Sequence, residues 1–251
     1  MRDWDARTYE RVSTPQARWA EKVLDRLPLE GSETVLDAGC GTGRVTKMLL
    51  ERLPRGHVLA VDSAPSMVAQ AREALDPART TVFQADLAEV ALDEPVDAAF
   101  SNAVFHWVPD HGALFARMFE ALKPGGRLVA QCGGEGNVER FHRHAEAVGE
   151  REPYAPYLAG WTGPWNFASP EKTAERLDAA GFVDVGTSLE PWPVTPEEPL
   201  EFVRTVCLGH HLELLPEELR GPYAEAVVEE CGSPLELDYV RLNISARRPG
   251  V

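Results

Sequence analysis

The stretch Thr34-Val35-Leu36-Asp37-Ala38-Gly39-Cys40-Gly41-Thr42-Gly43 decides the fold. It opens on a short apolar run and closes on three alternating glycines. Residues 42–53 beyond it read as a helix with Val45, Met48 and Leu49 on one face. Strand, tight turn and helix in that order begin a βαβ unit. Glycines let the turn approach a ligand closely. The helix N-terminus adds unpaired N–H donors and a partial positive charge, which suit a carboxylate or a phosphate.

Working outward, short apolar runs alternate with helical patterns. Strands are expected at residues 57–61, 80–83, 96–100 and 127–131. Helices are expected at 65–75 and 111–122, the second stopped by Lys123-Pro124-Gly125-Gly126. Regular interleaving of this kind means an α/β fold with a parallel sheet. Further on, a helix is expected at 137–149, an irregular Trp/Tyr/Pro/Gly segment at 154–167, and a helix at 170–180 ended by Gly181. A sixth strand is read at 183–189, helices broken at Pro216 and Pro222 over 196–231, and a last strand at 237–246. The helical stretch between those strands is too long for a plain connection and reads as a cap.

Lys and Arg number 25 against 40 Asp and Glu, a formal charge of −15. That field repels a phosphate backbone, and the nearest thing to a basic run is Arg247-Arg248. Neither nucleic acid nor an anionic membrane is an expected partner. Cys40, Cys132, Cys207 and Cys231 lie far apart with no zinc spacing, which suits reduced thiols in a cytoplasm. Met1-Arg2-Asp3-Trp4-Asp5 carries no apolar signal region, and no stretch has the roughly 18 apolar residues of a spanning helix.

Three uses of the glycine loop compete. A dinucleotide fingerprint needs a third glycine where Arg44 or Thr46 stands. A phosphate-binding P-loop needs a G-K-[ST] ending that is absent. What remains is D-x-G-x-G-x-G, either as a bare turn or as a ligand loop. Asp62, 23 residues beyond Gly39 at the end of the second strand, can accept both hydroxyls of a ribose.

That string resembles the nucleotide-binding loop of class I S-adenosylmethionine (SAM)-dependent methyltransferases. The resemblance implies a Rossmann-like, mostly parallel seven-stranded sheet sandwiched by helices, here with a helical cap. It implies SAM as cofactor, S-adenosylhomocysteine as product and no metal. It places Asp37, Gly39, Cys40, Gly41 and Gly43 in the cofactor loop, and Asp62 on the ribose with Ser63 and Met67 beside it. Ala85, Asp86 and Leu87 would meet the adenine, Asn102 and Ala103 the methionine part, and Tyr9 would close from the N-terminus. The whole chain, 1–251, is then one domain. Residues 1–30 form an N-terminal flap and helix, 31–134 the SAM-binding core, and 135–180 with 195–235 the acceptor-side segments and cap.

The similarity narrows to the trans-aconitate methyltransferase group through Asp3-Trp4-Asp5, Asp62-Ser63-Ala64-Pro65-Ser66-Met67, Ser101-Asn102-Ala103-Val104-Phe105-His106-Trp107 and Arg241-Leu242-Asn243-Ile244-Ser245-Ala246-Arg247-Arg248. That group methylates a carboxylate of a small acid. A related carboxyl methyltransferase, acting on juvenile hormone acid, implies that Gln16 and Trp107 hold the acceptor carboxylate. The chain departs from the trans-aconitate group at His106 and across residues 135–170.

A carboxylate is an anion at pH 7, so methylating it needs alignment and a dry pocket rather than a base. A phenol or amine acceptor would want one, and His106, His111, His210 and His211 are the candidates. His106 and Trp107 follow the fourth strand directly. His111 opens a helix and reads as a surface or capping residue. His210 and His211 are adjacent on a helix, so at most one faces a pocket. His142 and His144, two apart on a helix, do not make a metal site. Three functions stay open: a carboxyl O-methyltransferase, an O- or N-methyltransferase of a natural product with a histidine base, and a SAM-binding protein that does not methylate. The expected acceptor is a small molecule and the expected state a monomer or homodimer.

Overall fold

The computed structural model describes residues 14–250, with side chains from Trp19 onward. Helix α1 (Thr14–Leu24) leads to β1 (Thr34–Ala38), α2 (Arg44–Arg52), β2 (His57–Asp62), α3 (Pro65–Ala74) and β3 (Thr80–Gln84). Then come β4 (Val96–Asn102), a 3-10 turn (Phe105–Trp107), α4 (His111–Ala121) and β5 (Leu122–Gly133). The acceptor-side half holds α5 (Glu139–Gly149), α6 (Ala155–Leu158), α7 (Pro170–Ala179) and β6 (Val183–Pro191). Helix α8 (Pro199–Phe202), a π turn (Val203–Cys207), α9 (Gly209–Leu214), α10 (Glu217–Cys231) and β7 (Val240–Arg247) complete it.

Helix starts follow local chemistry. Asp110 caps α4 by accepting the Ala113 N–H at 2.9 Å, and Ser169 caps α7, where Pro170 fills the first turn. The seven strands form one sheet in the order β3-β2-β1-β4-β5-β7-β6. The first five are parallel, and β7 runs antiparallel between β5 and β6. Strand order reverses between β1 and β4, so a crevice opens at their carboxyl ends.

One apolar layer packs α4 and α7 on the sheet through Leu114, Phe115, Met118 and Leu177. The opposite layer packs α1, α2 and α3 through Val23, Leu24, Leu49 and Ala71. A third cluster, around Phe141, Val148, Phe202, Tyr223 and Val227, gives the helices over the strand ends a core of their own. Among the described residues no helix is long and apolar enough to cross a membrane.

Three expectations need correction. Pro222 does not break the chain, because α10 runs through it from Glu217 to Cys231. Burial of Tyr223, Ala224 and Val227 holds that helix despite the lost backbone bond. His111 is neither a surface nor a capping residue. Asp110 does the capping, while His111 is 2% exposed, with Nε2 2.9 Å from the Phe105 carbonyl and Nδ1 3.3 Å from Arg176. The fifth strand also pairs earlier than expected. Leu122 is already opposite Val96, and the Lys123–Gly126 turn bulges out before Arg127 meets Ala98.

Candidate functional site

The glycine loop is fastened at its start. Both the Gly39 and Cys40 N–H groups donate to the Val61 carbonyl, at 2.8 and 2.9 Å. Gly39, Gly41 and Gly43 sit at φ of 87°, 54° and 85°, the left-handed region that glycine enters at least cost. A Cβ on Gly39 would stand 2.3 Å from Val104, so the loop lies directly on the segment after β4. A Cβ on Gly41 would meet nothing within 4 Å.

Gly41 lines a cavity of about 490 Å³. Gly39, Cys40 and Gly41 form one wall, and Asp62, Ser63 and Met67 the next. Asp86, Leu87, Asn102 and Ala103 continue it. Asp62 is held by the Gly41 and Ala64 N–H groups, both at 2.9 Å. Burial raises its pKa against those bonds. Ala103 has φ 62° and donates its N–H to Gln131 at 2.7 Å, a strained turn at the cavity floor.

Three residues expected in the cofactor set lie off the wall. Asp37 is fully buried behind the loop, where it accepts the Thr46 hydroxyl at 2.6 Å, and burial pushes its pKa up to about 7. Gly43 caps α2, and Ala85 donates its N–H to the Asp62 carbonyl. Tyr9 lies outside the described residues. Gln16 belongs to α1, and its side chain lies outside them as well.

The other half of the cavity is aromatic. The 3-10 turn puts His106 and Trp107 on its wall. His106 Nδ1 accepts the Gly133 N–H at 3.2 Å. In the neutral ring the proton therefore sits on Nε2, which makes His106 a donor. Burial, with Arg241 second, holds its pKa well below the ordinary histidine value. Phe167 stacks on it at 5.6 Å between ring centres. Trp165 stacks on His142 at 4.4 Å, and burial takes His142 down to about 4. His210 packs 5.3 Å from Trp107 on the wall. His211 stands behind, 4.5 Å from Trp161, and burial takes it down to about 3.

Sequence reasoning assigned no role to Arg241, which is 2% exposed yet lines the cavity. The signal was the alternation of β7: Leu242, Ile244 and Ala246 face the core, while Arg241 and Asn243 share the opposite face. Among the described residues no three His, Cys, Asp or Glu side chains could hold a metal ion.

A family described as a methyltransferase domain matches residues 35–126. A trans-aconitate 2-methyltransferase of Azoarcus sp. is 34% identical over 90% of this chain and 88% of its own length. That of Methylobacterium nodulans is 32% identical over 99% of each. Among solved structures, the fold is similar to the Haemonchus contortus phosphoethanolamine N-methyltransferase 2 complex with SAM, with TM-score 0.61 and 21% identity. That match covers 92% of this chain and 52% of that one. The YcgJ protein of Bacillus subtilis gives TM-score 0.62 and 14% identity over 93% and 99%.

Proposed function

Because the chain belongs to the class I SAM-dependent methyltransferases, in the group of the trans-aconitate 2-methyltransferases, we propose that it methylates a carboxylate oxygen of a small organic acid. The curated relatives are named for such an acid. The residues present fit the cofactor. Gly41 leaves room where a side chain would intrude, and the Asp62 carboxylate stands on the same wall to accept ribose hydroxyls. Asp86 is assigned to the adenine amino group, with Leu87 beside the ring. Asn102 and Ala103 are assigned to the methionine part. SAM supplies an electrophilic methyl group on a good leaving group.

Residues 31–134 then carry the cofactor, and residues 135–180 and 195–235 cover the acceptor. Asn137, His142, Trp165 and Phe167 from the first segment and Cys207 and His210 from the second line the cavity. Their rings exclude water, so oxygen, methyl and sulfur can align in a dry site. Trp107 and Gln16 are assigned to steering the acid.

The observation that carries the carboxylate reading is the state of His106. Its Nδ1 is occupied by the Gly133 N–H, so Nε2–H can orient an anionic oxygen without accepting a proton. A carboxylate needs no proton removed. A phenol or amine does, and histidines whose pKa burial has driven down are poor bases.

The test is mass spectrometry with methyl-deuterated SAM and a panel of di- and tricarboxylic acids, terpenoid acids, phenols and amines. The expected product is labelled and loses its label in mild base, as an ester does. A label stable to base would overturn the carboxylate reading and make His210 the first residue to replace.

A further inference from the structure

We propose that Asn137 is a second hydrogen-bond donor for the reacting carboxylate, its side-chain NH2 holding one oxygen while His106 Nε2–H holds the other. This rests on the carboxyl-methylation reading above. Asn137 stands between β5 and α5, is 5% exposed and lines the cavity. Its backbone is tied to the start of β7. The Gly134 N–H donates to the Val240 carbonyl, the Asn137 N–H to the Gly134 carbonyl, and the Val138 N–H to the Asp238 carbonyl, each at 3.0 Å.

The side chain is oriented as firmly. Asn137 Oδ1 accepts the Val240 N–H at 3.0 Å. A backbone N–H can only donate, so the atom it meets is the amide oxygen, and the NH2 takes the other side. Among the described residues that NH2 has no hydrogen-bond partner. It is not one of the polar atoms sealed away without a partner, so it stays accessible from the cavity. A buried amide donor left unpaired is costly, and a ligand acceptor removes that cost. A donor fixed in advance also loses little freedom on binding.

Gly133 brings the two donors together. Its N–H donates to His106 Nδ1 at 3.2 Å, which leaves the proton on Nε2. A Cβ on Gly133 would stand 2.9 Å from Asn137 Nδ2 and 2.7 Å from the Phe167 ring. The missing side chain therefore makes room for Asn137 beside His106. Phe167 stacks on His106 at 5.6 Å between ring centres and closes the apolar side.

The chemistry asks for donors without charge. The attacking oxygen loses negative charge as the carbon–oxygen bond forms and the carbon–sulfur bond breaks, its electron pair going to sulfur. A cation on that carboxylate would stabilise the ground state more than the transition state and slow transfer. Neutral N–H groups fix the direction of the oxygens with less of that penalty. A carboxylate offers about four acceptor positions. With one aimed at the methyl group, the rest are left for Asn137, His106 and the residues assigned above to steering the acid.

The test is calorimetric titration at pH 8 of the protein loaded with S-adenosylhomocysteine, using crotonate, phenylacetate and farnesoate, each beside its primary amide. Two donors fit a carboxylate, whereas an amide turns its own NH2 against one of them. The wild type should bind at least one acid at least about 10-fold more tightly than its amide. Asn137→Asp keeps the oxygen that accepts from Val240 and replaces the donor with an acceptor, ionised at this pH. It should invert the preference, binding the amide more tightly than the acid, with S-adenosylhomocysteine affinity unchanged. The KM for methylating that acid should rise at least about 10-fold. A wild-type acid-to-amide ratio near one, or binding of none of these acids, would overturn the proposal without any variant. So would an Asn137→Asp loss that strikes acid and amide alike, the mark of a purely structural role. An ester label in the wild type with KM unchanged in Asn137→Asp would sink this inference and leave carboxyl methylation standing. A base-stable label on phenols or amines would sink both.

Discussion

At Gly39 and Gly41 the backbone takes the same left-handed turn, but the surroundings differ, and the difference separates folding from binding. An alanine at position 39 combines φ 87° with a Cβ 2.3 Å from Val104. Gly39→Ala should cost more than about 2 kcal/mol, the sum of backbone strain and a forced shift of the neighbour. Adding Val104→Ala should return part of that loss, because the two sites touch. Gly41→Ala should cost only about 1 kcal/mol of strain, since its Cβ meets no protein atom. Gly41 lines the cavity, so S-adenosylhomocysteine affinity should fall far more than stability. Urea unfolding and calorimetric titration of the three variants check this. Equal effects of Gly39→Ala and Gly41→Ala on both readouts would refute the division. At this scale the sequence was legible where a single residue type answers a backbone demand. The three glycines are such positions. Asp37 was not readable in the same way, because its partner Thr46 and its distance from the cavity arise only once α2 packs on the sheet.

Elements show where local rules yield to packing. The alternation of strand and helix was readable because period two and period 3.6 are written into the apolar positions. The run through Pro222 was not. Proline removes the N–H that would bond the Glu218 carbonyl. Tyr223, Ala224 and Val227 are nonetheless fully buried, and the Tyr223 hydroxyl donates to the Ala145 carbonyl of α5 at 2.9 Å. Those contacts outweigh a local cost of about 3 kcal/mol. Pro222→Ala should therefore raise stability by about 1–3 kcal/mol, seen as a higher Tm, with S-adenosylhomocysteine affinity unchanged. A lower Tm would mean that the proline ring itself packs favourably. The segments of the aromatic half were expected on the acceptor side, but the way their rings meet was unreadable for a related reason. Trp107, His142, Trp165 and His210 come from four separate segments, and nothing in the spacing of any one of them specifies the meeting.

Across the whole molecule, buried imidazoles and buried carboxyls pull the pH dependence of stability in opposite directions. His106, His142 and His211 have folded pKa values below their ordinary 6.5, the last two near 4 and 3. Below pH 6.5 the unfolded chain binds protons that the folded one refuses, so each imidazole contributes stability that is lost as pH falls from 6.5 toward its folded value. For His211 that loss is about 2 kcal/mol at pH 5. Asp37, raised to about 7, and Asp62, also raised, act the other way, since folded carboxyls that keep their protons lose stability as pH rises through the same range. One substitution isolates the imidazole contribution. His211 Nδ1 is buried with no hydrogen-bond partner among the described residues, and its ring lies between Trp161 and Tyr223 at 4.5 and 6.0 Å. His211→Phe keeps an aromatic ring there and removes both the unsatisfied nitrogen and the titration. At pH 7.5 it should be as stable as the wild type or up to about 1 kcal/mol more so. Between pH 6.5 and 4 its Tm should fall less steeply. Thermal melts across that range check the difference, and parallel curves for the two proteins would show that His211 is not the buried neutral group described.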